Sequence, residues 1–168
     1  RYRAVARMTD SLMQADPENR QYQKDYIATL SRLADLLAAQ PARSAEVRAL
    51  TEKALQTLQP LVARPDAGDY EIQQYVWLML TTPFDDLRSP AKALPFAEKA
   101  VRKTVERDPR VLDMLALAQF GVGKTEQAIE TELKALALLP KDSDSALRRE
   151  LEANLRKFRA SPPTTKGR

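Results

Sequence analysis

Apolar residues recur at three- and four-residue intervals along most of the chain, as in Leu30, Leu33, Ala34 and Leu37 or Leu112, Leu115 and Ala116. That spacing marks one buried face of a helix, and no stretch alternates apolar and polar residues as a strand would. Proline supplies the punctuation. Asp16-Pro17, Ser89-Pro90 and Asp108-Pro109 each place a side-chain acceptor at an N-cap with Pro at the first helical position. The pattern predicts eight helices, at 2–15, 17–39, 44–59, 69–81, 90–106, 109–121, 125–138 and 144–158, and an all-α fold class. The first of these reads as the middle of an amphipathic helix, so the chain is expected to continue a larger protein.

An internal repeat appears when the second helices of successive pairs are aligned. Glu52-Lys53-Ala54-Leu55, Glu98-Lys99-Ala100-Val101 and Leu133-Lys134-Ala135-Leu136 follow one another at offsets of 46 and 35 residues. The second offset is close to the period of about 34 residues of tetratricopeptide repeats, and the first is that period plus an insertion. With Pro140 at the repeat's proline position, Leu112, Leu115, Ala116, Ala128 and Ala135 fall where the tetratricopeptide pattern has large, large, small, small and small residues. The region therefore resembles a tetratricopeptide repeat. Glu132 departs from the pattern, which usually has an aromatic there. In the middle unit Trp77 and Ala93 stand sixteen residues apart, as the pattern's tryptophan and small residue do, with Ala100 seven further on.

The resemblance implies helical hairpins stacked as a right-handed solenoid, with a repeat domain over 1–160. Its units would lie at about 17–60, 69–106 and 109–140, closed by a capping helix at 144–158 and followed by a disordered tail at 161–168. The wording of Trp77-Leu78-Met79-Leu80-Thr81-Thr82-Pro83-Phe84-Asp85-Asp86-Leu87-Arg88-Ser89-Pro90, of Ala128-Ile129-Glu130-Thr131 and of Leu147-Arg148-Arg149-Glu150-Leu151-Glu152-Ala153-Asn154-Leu155 is similar to the repeat regions of large bacterial signalling proteins such as serine/threonine kinases. None of these phrases is a catalytic motif. A cytoplasmic location is expected.

Composition narrows the chemistry. With no His and no Cys there is no Cys/His zinc site, thiol nucleophile, disulfide or imidazole base. The fragment is expected to be non-catalytic, with no cofactor and no metal. The net charge of +4 suggests nucleic acid until it is located: Arg156, Lys157, Arg159, Lys166 and Arg168 follow Glu152 with no acid among them, which leaves the rest of the chain at −1. A basic stripe along the body, which nucleic acid requires, is not implied, and the apolar runs are too short to cross a bilayer.

Three local features invite sharper readings. Gly121-Val122-Gly123-Lys124-Thr125 echoes a phosphate-binding loop, but Ala118 stands where that loop has Gly and a helix precedes it instead of a strand. A turn is expected, with Gly121 or Gly123 in a left-handed conformation and Thr125 capping the next helix. Trp77 is read as core. Asp85 and Asp86 lack the further spaced oxygens of a calcium loop and read as solvated.

In a tetratricopeptide fold the first helices of the pairs line a concave groove. The resemblance puts groove positions at Lys24, Ser31 and Asp35 in the first unit, Gln74 and Leu78 in the middle unit, and Arg110, Asp113, Leu117 and Phe120 in the last. The function expected is protein–protein interaction or scaffolding, with a peptide or helix held in the groove. One alternative is a regulatory C-terminal segment of a bacterial serine/threonine kinase, acting in cis. Another is an oligomerisation or spacer element that self-associates through the N-terminal helix.

Overall fold

The computed structural model describes residues 2–140 and 145–160. The tail expected at 161–168 lies outside the described residues. Among them are eight α-helices and no strand: α1 (Tyr2–Ala15), α2 (Arg20–Ala38), α3 (Ser44–Val62), α4 (Asp69–Thr81), α5 (Pro90–Lys103), α6 (Pro109–Gly121), α7 (Thr125–Ala137) and α8 (Ala146–Ala160), with a 3-10 turn at Pro41–Arg43 before α3. The chain divides into two compact units, Arg1–Leu78 with Thr82–Leu87, and Met79–Thr81 with Arg88–Arg168.

In the first unit α2 packs against both α1 and α3. Two of the clusters that hold it together involve α2. Leu33, Ala34, Leu37 and Val47 form one, with Ala6, Leu50 and Phe84 against them; Tyr26, Leu30 and Ala54 form the other, with Met13, Leu50 and Leu78. Ala6 and Met13 are two turns apart on α1 and so lie on one face, each over a different cluster. Between them Thr9 is buried, and its hydroxyl donates back to the carbonyls of Val5 and Ala6 at 3.1 and 3.2 Å. The Lys53 ammonium of α3 lies 3.2 Å from Asp10 of α1 and 5.3 Å from the Tyr26 ring centroid, so one cation of α3 touches side chains of both α1 and α2.

Two boundaries in this unit differ from expectation. Asp16 does not cap α2. Residues 16–19 form a turn closed by the Asn19 amide on the Asp16 carbonyl, and the Asn19 side chain caps the helix by accepting from the amides of Gln21 and Tyr22 at 3.1 and 3.2 Å. Helix α3 runs through Pro60 to Val62 instead of stopping at 59, because Leu61 and Val62 are buried. The buried apolar pair outweighs the one backbone bond that proline removes. Beyond α4, the Arg48 guanidinium holds the 82–87 loop in a two-pronged bond to Asp86 at 3.0 and 2.5 Å, 5.4 Å from the Phe84 ring centroid.

In the second unit α6 is buried almost all round, through Val111, Leu112, Asp113, Met114, Leu115, Ala116 and Ala118. Such a helix must be surrounded, and α5, α7 and α8 each pack on it. Ala116 and Ala128 have no exposed surface, and Phe158 of α8 closes over them with Leu117, Phe120 and Ile129 at the margin. All five residues matched to the tetratricopeptide core, Leu112, Leu115, Ala116, Ala128 and Ala135, are buried.

Helix ends here follow local geometry. Asp108 caps α6 as expected, accepting from the Arg110 amide at 2.9 Å. Ser89 occupies the N-cap of α5 with Pro90 next, but its side chain makes no capping bond. Helix α5 ends at Lys103 and not at 106, since Val105 and Glu106 take left-handed conformations (φ 51° and 56°) and the Glu106 amide bonds back to Val101. Two left-handed non-glycine residues carry a strain of about 1–2 kcal/mol each.

Candidate functional site

The nine expected groove positions fall five in the first unit and four in the second. In the first, Asp35 is exposed and Lys24, Ser31, Gln74 and Leu78 are half-buried. Leu78 packs on the cluster of Tyr26, Leu30 and Ala54, and the Ser31 hydroxyl oxygen is buried without a hydrogen-bond partner. In the second, only Arg110 is exposed.

The other three positions in that unit are occupied by the chain itself. Phe120 lies against Phe158 of α8, with ring centroids 4.6 Å apart, and Lys157 sits 5.6 Å from the Phe120 ring centroid. Leu117 packs at the edge of the same cluster. Asp113, expected to face a partner, is 3% exposed and accepts a 2.8 Å bond from the Asn154 side chain of α8. Asp113 is therefore corrected from a contact residue to an interior one. Helix α6 is so thoroughly enclosed that its polar position has become part of the core.

Beside Asp113 stands Glu132 of α7, with no exposed surface and neither carboxylate oxygen hydrogen-bonded in a conventional geometry. Burial pushes the Glu132 carboxyl far above its ordinary range, and the charge of Asp113 adds to the effect. Burial also raises Asp113, with Asn154, Glu132 and Arg110 working against it and Glu150 with it. Desolvation dominates because an ionised carboxylate without a cation loses its hydration and gains little in return. Of the two, Glu132 is the one that burial and its neighbour's charge hold more strongly in the protonated form. A second polar link between the same helices, Thr131 donating to Gln119 at 2.9 Å, runs nearby in sequence.

The Gly121–Thr125 segment is a tight turn between α6 and α7. Gly123 is left-handed (φ 81°), its amide donates to Phe120 and the Lys124 amide to Gln119, both at 2.9 Å. These two amides face the end of α6 and are not turned outward to a phosphate. Lys124, not Thr125, takes the N-cap position of α7, without a side-chain cap. Asp85 and Asp86 are exposed as expected, and the Asp86 carboxylate is engaged by Arg48. Among the described residues no group of three or more acidic side chains is arranged to hold a metal ion, and no helix is long and apolar enough to cross a membrane. Compared with protein-family models, curated proteins and solved structures, the chain matches none of them.

Trp77 is the second correction. It is 40% exposed, whereas Ile72, Tyr75, Val76 and Met79 of the same helix are buried. These four make the i, i+3, i+4, i+7 stripe, and Trp77 stands one residue, about 100°, off it. Trp77 is therefore not at the core position that the tetratricopeptide resemblance implied for it. Gln74, one turn before Trp77, shares its side of α4.

The sequence signal for Trp77 was in hand, since the stripe of Ile72, Tyr75, Val76 and Met79 is readable without a structure. For Glu132 the signal was its place at an aromatic position. Its pairing with Asp113, nineteen residues away, has no local signature.

Proposed function

We propose that this chain is a non-catalytic protein-binding module built from helical repeats of tetratricopeptide type, stacked as hairpins in a solenoid within a cytoplasmic bacterial signalling protein. The observation that carries this reading is the set of three small residues, Ala116, Ala128 and Ala135, with no exposed surface at the positions where that pattern requires close helix approach. The burial of Leu112 and Leu115 at its two large positions adds to it.

The contact set is revised accordingly. Lys24, Asp35, Gln74 and Arg110 keep accessible surface, and Trp77 joins them as the one large aromatic of α4 that is exposed. Tryptophan and arginine are the residues most often responsible for binding energy at protein interfaces. Screening the chain against arrayed peptides, with Trp77→Ala and Arg110→Ala alongside, tests the reading. A peptide whose binding falls about tenfold or more in either variant supports it; peptides bound equally by all three chains would place the contact surface elsewhere.

Self-association through α1 is a second reading, favoured by the exposure of Val5 (43%) and Met8 (66%) on that helix. Light scattering over a concentration series, with Met8→Glu as the disrupting variant, separates it from a monomeric module.

A further inference from the structure

The second unit contains two carboxyls that share an interior and, among the described residues, have no buried cation bonded to them. Asp113 of α6 and Glu132 of α7 are 3% and 0% exposed. Asp113 is bonded to Asn154 of α8, so the helix that covers α6 is tied to one member of the pair. The charged groups acting on the two are Arg110 of α6, which favours the anion on Asp113, and Glu150 of α8, which opposes it on both. Helix α5, also packed on α6, buries only Ala93, Ala97, Ala100 and Val101. On α7 the nearest charged neighbours, Glu130 and Lys134, are exposed and paired with each other at 3.3 Å.

We propose that Asp113 and Glu132 form a proton-held latch, in which one shared proton keeps α6, α7 and α8 packed and its loss releases α8 from α6. With the proton on Glu132, its O–H donates toward Asp113, leaving the other Asp113 oxygen to accept from Asn154. When that proton passes to solvent, two anions face each other with only the solvent-exposed Arg110 acting against them. Water must then enter or the helices must part. The element that yields is α8, because it meets α6 through few side chains, Asn154 and Phe158 foremost. Its release uncovers Leu117 and Phe120. The latch does not depend on whether the module binds a partner.

Hydrogen exchange followed by mass spectrometry on the full chain, corrected for intrinsic rates between about pH 5 and about pH 10, reads the latch directly. Protection of peptides from 146–160 is expected to fall by up to about tenfold per pH unit over part of that range, while peptides from α1 and α2 keep theirs. In Glu132→Gln, which mimics the protonated acid, the α8 slope is expected to vanish. An α8 protection indifferent to pH in the native chain, or an equal slope in Glu132→Gln, overturns the proposal. Should that variant fail to fold, carboxyl-carbon NMR of the native chain decides. A Glu132 resonance still protonated above about pH 6 supports the latch, and ordinary titration of both carboxyls near about pH 4 overturns it.

Discussion

Phe120 of α6 and Phe158 of α8 meet with ring centroids 4.6 Å apart and planes tilted by 30°. Phe158 has no exposed surface and lies on the two alanines, Ala116 and Ala128, that let α6 and α7 approach. Replacing it with Ala is expected to destabilise the second unit by about 3–5 kcal/mol. Urea unfolding followed by circular dichroism measures this, and a cost below about 1 kcal/mol would mean that α8 is not docked there.

The alanine contact itself is testable by overpacking. Ala128→Leu puts a branched side chain where none of the native one is exposed, and should cost about 1–3 kcal/mol. The same unfolding experiment applies, and a neutral result would undo the register on which Arg110, Leu117 and Phe120 were assigned.

Gly121 ends α6 against the start of α5. A β-carbon at Gly121 would overlap the Pro90 ring, which is rigid and cannot swing away. Gly121→Ala should lower the thermal midpoint, by an amount equivalent to about 1–3 kcal/mol. Pairing it with Pro90→Gly, which removes the overlapping atoms, should make the two changes less than additive.

Trp77 distinguishes two registers of α4. A fully buried Trp would cost about 3–5 kcal/mol on truncation to Ala. With 40% of its surface exposed, the expected cost is about 1–2 kcal/mol. Denaturant midpoints of the variant and native chains decide between them.

Glu132→Met replaces the buried acid by an apolar side chain of similar volume. The folded chain holds Glu132 up to about 9 against an ordinary value of 4.5. The contribution of Glu132 to stability is therefore full below 4.5 and is lost progressively as pH rises through about 9. The variant should match the native chain in acid and exceed it by roughly 1–4 kcal/mol in mild alkali. Thermal melts across that range check the sign, and a variant less stable at every pH contradicts it.

What the sequence determined by itself is local. The 3.6-residue spacing of apolar side chains and the Pro-marked starts placed all eight helices, most within a residue or two, because helix formation depends on neighbours three and four positions away. The left-handed Gly123 turn and the Asp108 cap belong to the same class. Asn19 rather than Asp16 caps α2 through bonds that are themselves local, and α3 continues through Pro60 because Leu61 and Val62 had a core to enter. The exposure of Trp77 was legible in the stripe of Ile72, Tyr75, Val76 and Met79, whereas the burial of Asp113 beside Glu132 under α8 was decided only in three dimensions. Periodicity says which residues share a helix face, but which neighbour covers that face depends on contacts between segments far apart in the chain.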